Sequence, residues 1–222
     1  LHPREGQGEG EATGNTISSG VTPASTPPQP SPGRGGGSAR FARATGPWAT
    51  TPGRVVQPTT VDQVQQLVRD AQQTGEKLYP ISRGKNWGYG DACAPTDGQT
   101  IVDLSAMNRI IEVNEQLAYC VIEPGVSQGQ LADYLAEHHP NLWLDVTGAG
   151  RDASIVGNTL DRGFGHTRYG DHFLTACGVQ MVMPDGEVLD TGFTGYENNQ
   201  AGRVYRYGTG PFLDGLFAQS NL

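Results

Sequence analysis

Leu78-Tyr79-Pro80-Ile81-Ser82-Arg83-Gly84-Lys85-Asn86-Trp87-Gly88-Tyr89-Gly90 is the stretch around which the rest of the chain is organised. An extended apolar run feeds a short, glycine-rich, positively charged segment that ends in a phenol. Glycines at 84, 88 and 90 allow positive φ and a close backbone approach to a ligand. Successive N–H groups in such a turn can form a concave anion site. Arg83 and Lys85 add positive charge. Ser82, Arg83, Gly84, Lys85, Asn86 and Gly88 therefore read as a loop that holds a diphosphate, with Tyr89 projecting beyond it. Two better-known phosphate loops are excluded. Gly84-Lys85 is followed by Asn86 rather than Ser or Thr, and no glycine stands five residues before Gly84. The spacing G-x-x-x-G-x-G is not the dinucleotide fingerprint, and Asp91-Ala92-Cys93-Ala94-Pro95 does not continue as an amphipathic helix. Composition alone is equally compatible with a glycine-rich surface turn.

The bulk of the chain narrows the choice. Its 222 residues carry a formal charge of −8, which argues against nucleic acid as a partner and makes any phosphate site a local feature. No apolar run approaches the ~18 residues of a membrane span. The chain starts at Leu1 without an apolar leader, so no signal peptide is visible, and the compartment stays unknown. Cys93, Cys120 and Cys177 have neither disulfide nor zinc spacing; Cys120 and Cys177, in apolar runs, are expected to be buried free thiols. No third ligand joins His166 and His172, so no metal is expected.

Residues 1–40 are rich in Gly, Pro, Ser and Thr and are expected to be disordered. A folded domain is expected over 41–222. Arg54-Val55-Val56-Gln57-Pro58 reads as a strand. Thr60 is an N-cap for a helix with Val61, Val64, Leu67, Val68 and Ala71 at helical spacing, stopped by Gly75. The strand at 77–81 completes a βαβ unit that delivers the glycine loop. A strand at 100–104 follows, then a hairpin of 109–113 and 117–122. Ser127 with Gln130 forms a capping box for a helix to about His138. Glycines at 148, 150, 157, 163, 165 and 170 are spread through the next segment. Pro184-Asp185-Gly186 turns a second hairpin, and 211–217 is a short helix with Pro at its start. This order predicts an α+β fold.

Several motifs now stand in one order: the loop at 82–90, Glu123-Pro124-Gly125-Val126, Leu142-Trp143-Leu144-Asp145-Val146-Thr147-Gly148-Ala149-Gly150, and Ser154-Ile155-Val156-Gly157-Asn158. They continue with Asp161-Arg162-Gly163-Phe164-Gly165-His166-Thr167-Arg168-Tyr169-Gly170-Asp171-His172, and with the run from Tyr207 to Asn221. Over roughly residues 50–222 this set resembles the FAD-binding domain of the vanillyl-alcohol oxidase and p-cresol methylhydroxylase family. The resemblance implies two α+β subdomains with FAD between them and the diphosphate on the 82–90 loop. Thr147, Gly148, Ser154, Gly157 and Asn158 would lie along the ribityl chain and isoalloxazine, and Asp161, Gly163 and Phe164 match positions that touch the flavin in relatives.

The same resemblance implies a 4-alkylphenol or related 4-hydroxybenzylic substrate. Tyr89 matches the residue that hydrogen-bonds its phenolic oxygen, and a donor there stabilises the phenolate. Hydride passes from the benzylic carbon to flavin N5, leaving a quinone methide that water hydroxylates. His166 matches a pocket-facing position that is often Tyr. His172 is expected to be structural, hydrogen-bonded beside Asp171, while Asp145 and Asp152 are candidate carboxylates near the flavin. The segment Asp145-Val146-Thr147-Gly148 looks more like the hydroxylating dehydrogenase branch, which implies a c-type cytochrome or azurin-like electron acceptor. An O2-using aryl-alcohol oxidase and a non-catalytic FAD-binding fragment are the alternatives. Homo-oligomers are plausible. The substrate (cap) domain that follows in relatives is absent from this sequence, so the chain alone is expected to be an incomplete enzyme.

Overall fold

A computed structural model describes residues 2–3, 39–42, 44, 49–86, 91–196 and 198–220. Trp87 to Gly90 lie outside the described residues, and so do Gly88 and Tyr89 as candidate site residues; most of 1–40 does as well. The first strand, β1 (His2–Pro3), pairs antiparallel with Leu142–Trp143.

The glycine-rich loop that begins at Ser82 is delivered by a parallel sheet. Strands β2 (Arg54–Val56), β3 (Leu78–Ile81) and β4 (Thr100–Asp103) lie in the order β2–β4–β3, all parallel. Helix α1 (Val61–Thr74) makes the crossover from β2 to β3. Thr60 caps it by accepting from Gln63 N, and Gly75 ends it at φ 74°, where a residue with a Cβ would be strained. The βαβ unit is present, but β4 slots between its two strands. Flanked on both edges, β4 is buried at all four residues, as central parallel strands are. Ile101 packs with Phe41, Ile81, Ala92 and Ala94 in one core cluster.

A second cluster holds the other half. Strands β5 (Ile110–Asn114) and β6 (Tyr119–Ile122) form the antiparallel hairpin, with a register shift between Ile110 and Glu112. Helix α2 (Gln128–His138) lays Leu131 and Leu135 against Val126 and Leu142, the last in β7 (Leu142–Trp143). Ser127 caps α2, accepting from Gln130 N. The reciprocal half of the expected capping box is not made, because the Gln130 side chain donates to Asn108 O instead.

Helix α3 (Ile155–Leu160) rises inside the glycine-bearing stretch, where the sequence carries no helical pattern. Strands β8 (Gln180–Val182) and β9 (Val188–Asp190) form the second hairpin, with Gly186 at φ 81° in its turn. Gln65 and Arg69 of α1 both donate to Gly186 O. Helix α4 (Asp214–Phe217) begins three residues after Pro211 rather than on it. The thiols also depart from expectation. Cys93 is the fully buried one, donating to Phe41 O, whereas Cys120 and Cys177 are half-buried; burial still pushes both of the latter thiols up from their ordinary pKa.

Candidate cofactor site

The loop after β3 is shaped by one glycine. Gly84 has φ 62°, and a Cβ there would lie 2.6 Å from the Ala92 Cβ and 3.3 Å from Ile81 Cδ1. Only glycine lets the backbone fold back over Ala92 at that angle. The side chains around it divide their tasks. Arg83 donates from Nε to Asp152 O at 2.8 Å and from Nη1 to Gly125 O at 3.1 Å. Its guanidinium therefore ties the loop to two other segments. Lys85 is exposed and pairs with no carboxylate among the described residues. Asn86 Nδ2 donates to Asp161 Oδ2 at 2.6 Å.

The segments that meet this loop are held by α2 and its lead-in. Gly125 packs into the turn at 104–107, where an added Cβ would sit 2.7 Å from the carbonyl oxygens of Leu104, Ser105 and Met107. Residues 151–155 run antiparallel to 126–129: Gln128 N donates to Ala153 O, Gly129 N to Arg151 O and Ile155 N to Val126 O. The buried Gln128 side chain pins the next turn, donating to Thr147 O and Gly150 O and accepting from Thr147 N. Gly148 and Gly150 face open space, with no atom within 4 Å of where a Cβ would stand. Ser154 caps α3, accepting from Gly157 N at 2.9 Å and donating to Pro124 O at 2.8 Å.

Two close approaches bring the halves together. A Cβ on Gly157 would lie 2.4 Å from Ser82 Oγ, and one on Gly163 would lie 1.9 Å from Asn158 Nδ2. The α3 N-terminus thus sits against the glycine loop, and the turn after α3 folds back on the helix through Gly163 N donating to Asn158 O. Phe164 stands out at 64% exposure, with the exposed His166 ring edge-on to it at 5.8 Å between centroids. Asp161 remains exposed as a residue, yet desolvation raises its carboxyl above the ordinary pKa of 3.8.

Among the sequence-predicted residues, Ser82 meets Gly157, Asn86 meets Asp161, Asn158 meets Gly163, and Phe164 meets His166. Thr147 and Gly148 reach this assembly through Gln128 and the 151–155 segment. Asp152 is exposed, and its carbonyl, not its carboxylate, holds Arg83. His172 does not bond Asp171, whose carboxylate accepts from Phe173 N; its partners are Asn158 and Asp145. Gln128, Gly125 and His172 carry much of the geometry, and sequence reasoning does not pick them out as site residues. Gln128 directly follows the Ser127 cap, a position where an amide has no helical reason to be buried, and that is the one signal the sequence offers.

These residues fit FAD. Lys85 is exposed and pairs with no carboxylate among the described residues, Gly148 and Gly150 face open space, and Phe164 is an exposed aromatic. Comparison with known proteins agrees. Residues 52–192 match the FAD binding domain family. The chain is 45% identical over 187 residues to the 1'-carboxy-chondrochloren decarboxylase of Chondromyces crocatus, covering 83% of this chain and 35% of that protein. It is 40% identical over 173 residues to the 4-cresol dehydrogenase (hydroxylating) flavoprotein subunit of Pseudomonas putida, covering 78% and 33%. The crystal structure of p-cresol methylhydroxylase with substrate bound superposes with a TM-score of 0.79 at 38% identity, over 82% of this chain and 36% of that one. The chain spans about a third of the length of the curated relatives it matches.

Proposed function

The chain belongs to the FAD-binding domain family, in the form found in p-cresol methylhydroxylase, and we propose that it is the cofactor-holding part of an oxidoreductase that oxidises 4-alkylphenols at the benzylic carbon of the para side chain. The observation that carries the proposal is the junction of two segments some 75 residues apart, where Asn86 bonds Asp161 and Ser82 packs on Gly157. Ser82, Gly84, Lys85, Asn86 and Gly88 hold the diphosphate, with Arg83 bracing the loop from behind. Thr147, Gly148, Ser154, Gly157, Asn158, Asp161, Gly163 and Phe164 line the ribityl and ring portions. Bound FAD would supply the two-electron acceptor, which no side chain provides. Tyr89 holds the phenolic oxygen and favours its anion, and His166 borders the substrate beside Phe164.

The first test is FAD binding by the chain. Titration should quench flavin fluorescence and raise Tm; a colourless product whose Tm ignores FAD would overturn the proposal. With the flavin bound, anaerobic reduction by a 4-alkylphenol tests the substrate class. Labelled water appearing in the product marks hydroxylation, with a c-type cytochrome or azurin-like protein as acceptor, and slow reoxidation in air excludes the oxidase alternative. The 45% identity to a decarboxylase supports a second reading, in which the same site acts on a carboxylated side chain. Release of CO2 in place of a hydroxylated product would select it.

A further inference from the structure

His172 opens a 3-10 turn, His172–Thr175, and its ring is inserted between two other segments. The side chain is only 14% exposed. Nδ1 lies 2.5 Å from Asn158 Oδ1 on α3. Nε2 is wholly enclosed, makes no hydrogen bond, and lies 3.5 Å from Asp145 Oδ2. Asp145, 8% exposed, is itself held, accepting from Val146 N at 3.1 Å and from Thr167 Oγ1 at 2.8 Å. One imidazole therefore sits between the segment that follows β7 and the middle of α3.

The stretch Gly163–Phe164–Gly165 rests on the same group. Gly163 N bonds Asn158 O, and the Asn158 amide fills the space beside the Gly163 Cα. Gly165 lies over the other end, where a Cβ would meet Val146 O at 2.7 Å, Asp145 Oδ1 at 2.9 Å and His172 Nε2 at 3.2 Å. Phe164 also bridges to Asp171, the residue before His172. Both ends of the strip that carries Phe164 are thus set by the two side chains that His172 joins. We propose that His172 is a positioning residue for the flavin ring: wedged between Asn158 and Asp145, it fixes the 163–165 backbone from which Phe164 projects and which leads into His166. A side chain that touches the cofactor is only as well placed as the shell that supports it. The inference rests on the assignment of 147–165 to the ring portion of FAD.

The test is made on the chain at saturating FAD, with His172→Ala, His172→Gln and Asp145→Asn. Visible circular dichroism and flavin fluorescence report the ring, and phosphorus NMR reports the diphosphate. In His172→Ala the visible band should lose intensity, fluorescence should rise, and FAD affinity should fall about tenfold, as loss of a partner from a buried polar group does, while the phosphorus shifts keep their wild-type values. His172→Gln, whose amide reaches the Nε2 position and can donate towards Asp145, should recover part of the band. Unchanged ring signals in all three variants would overturn the proposal, as would ring and phosphorus signals changing together. If His172→Ala does not fold, the two milder variants decide by the same signals. Wild-type chain that binds no FAD would instead overturn the functional proposal, and this inference with it.

Discussion

Single residues in this site are constrained by space and charge more than by hydrogen-bonding capacity. Gly125 shows the spatial constraint most simply, since three carbonyl oxygens stand 2.7 Å from any Cβ it could acquire. Gly125→Ala should cost about 2 kcal/mol through overpacking, lowering Tm by about 4–8 °C for a domain of this size. A wild-type Tm would show that the turn at 104–107 yields. Lys85 shows the charge constraint. Lys85→Gln should weaken FAD binding about threefold to tenfold, as loss of an exposed charge-assisted contact does. The difference should shrink at high salt, and a salt-independent loss in fluorescence titration would assign Lys85 another role. Asp161 is governed by desolvation, which raises its carboxyl pKa in the fold. Stability from such a group is present below the unfolded value near 3.8 and is lost as pH rises through the folded value. Asp161→Asn, which can still accept from Asn86, should therefore gain Tm relative to wild type as pH rises from about 4 to neutrality. A constant gap across that range in apo thermal melts would remove the desolvation account.

At the level of elements, local signals and tertiary ones part company. Helix α1 is legible because its apolar spacing, Thr60 cap and Gly75 stop all agree, and the structure keeps each of them. Thr60→Ala should cost about 1 kcal/mol and so lower Tm by about 2–4 °C; thermal unfolding checks it, and an unchanged Tm would mean the capping bond contributes nothing. The two hairpins are equally legible, since alternating apolar runs around Asn114-Glu115-Gln116 and Asp185-Gly186 are local patterns. Helix α3 is not. At six residues it is too short to show periodicity, and glycine at its third position speaks against helix on propensity alone. It forms because Ser154 caps it and Ser82 packs where the Gly157 side chain would otherwise be. The capping box at Ser127 is half legible, because only tertiary contact turns the Gln130 side chain to donate to Asn108 O rather than back to accept from Ser127 N.

For the whole molecule the governing quantity is the free energy of cofactor binding set against a small core split into two clusters. FAD at about a hundred times its Kd should add about 2.7 kcal/mol by mass action, a Tm rise of about 5–10 °C for a domain of this size. A scan of Tm against FAD concentration checks it, and a flat profile would mean no binding to the native state. The net charge of −8 repels an anionic ligand at long range, so on the proposed function FAD affinity should rise as salt screens that repulsion, apart from the local contribution of Lys85. No helix among the described residues is long and apolar enough to cross a membrane. By itself the sequence determined the α+β class, the βαβ unit and the glycine-bearing segments that carry the FAD resemblance, because caps, periodicity and glycine spacing are local in the chain. Only the tertiary structure decided that β4 enters between β2 and β3, that Arg83 braces carbonyls, and that His172 joins Asn158 to Asp145. It also decided that Ser82 packs on Gly157 and that Asn86 bonds Asp161, although the sequence read both as ligand contacts. Those outcomes depend on which atoms come within a few ångströms of one another across stretches of chain from 14 to 75 residues long, and no local pattern records such distances.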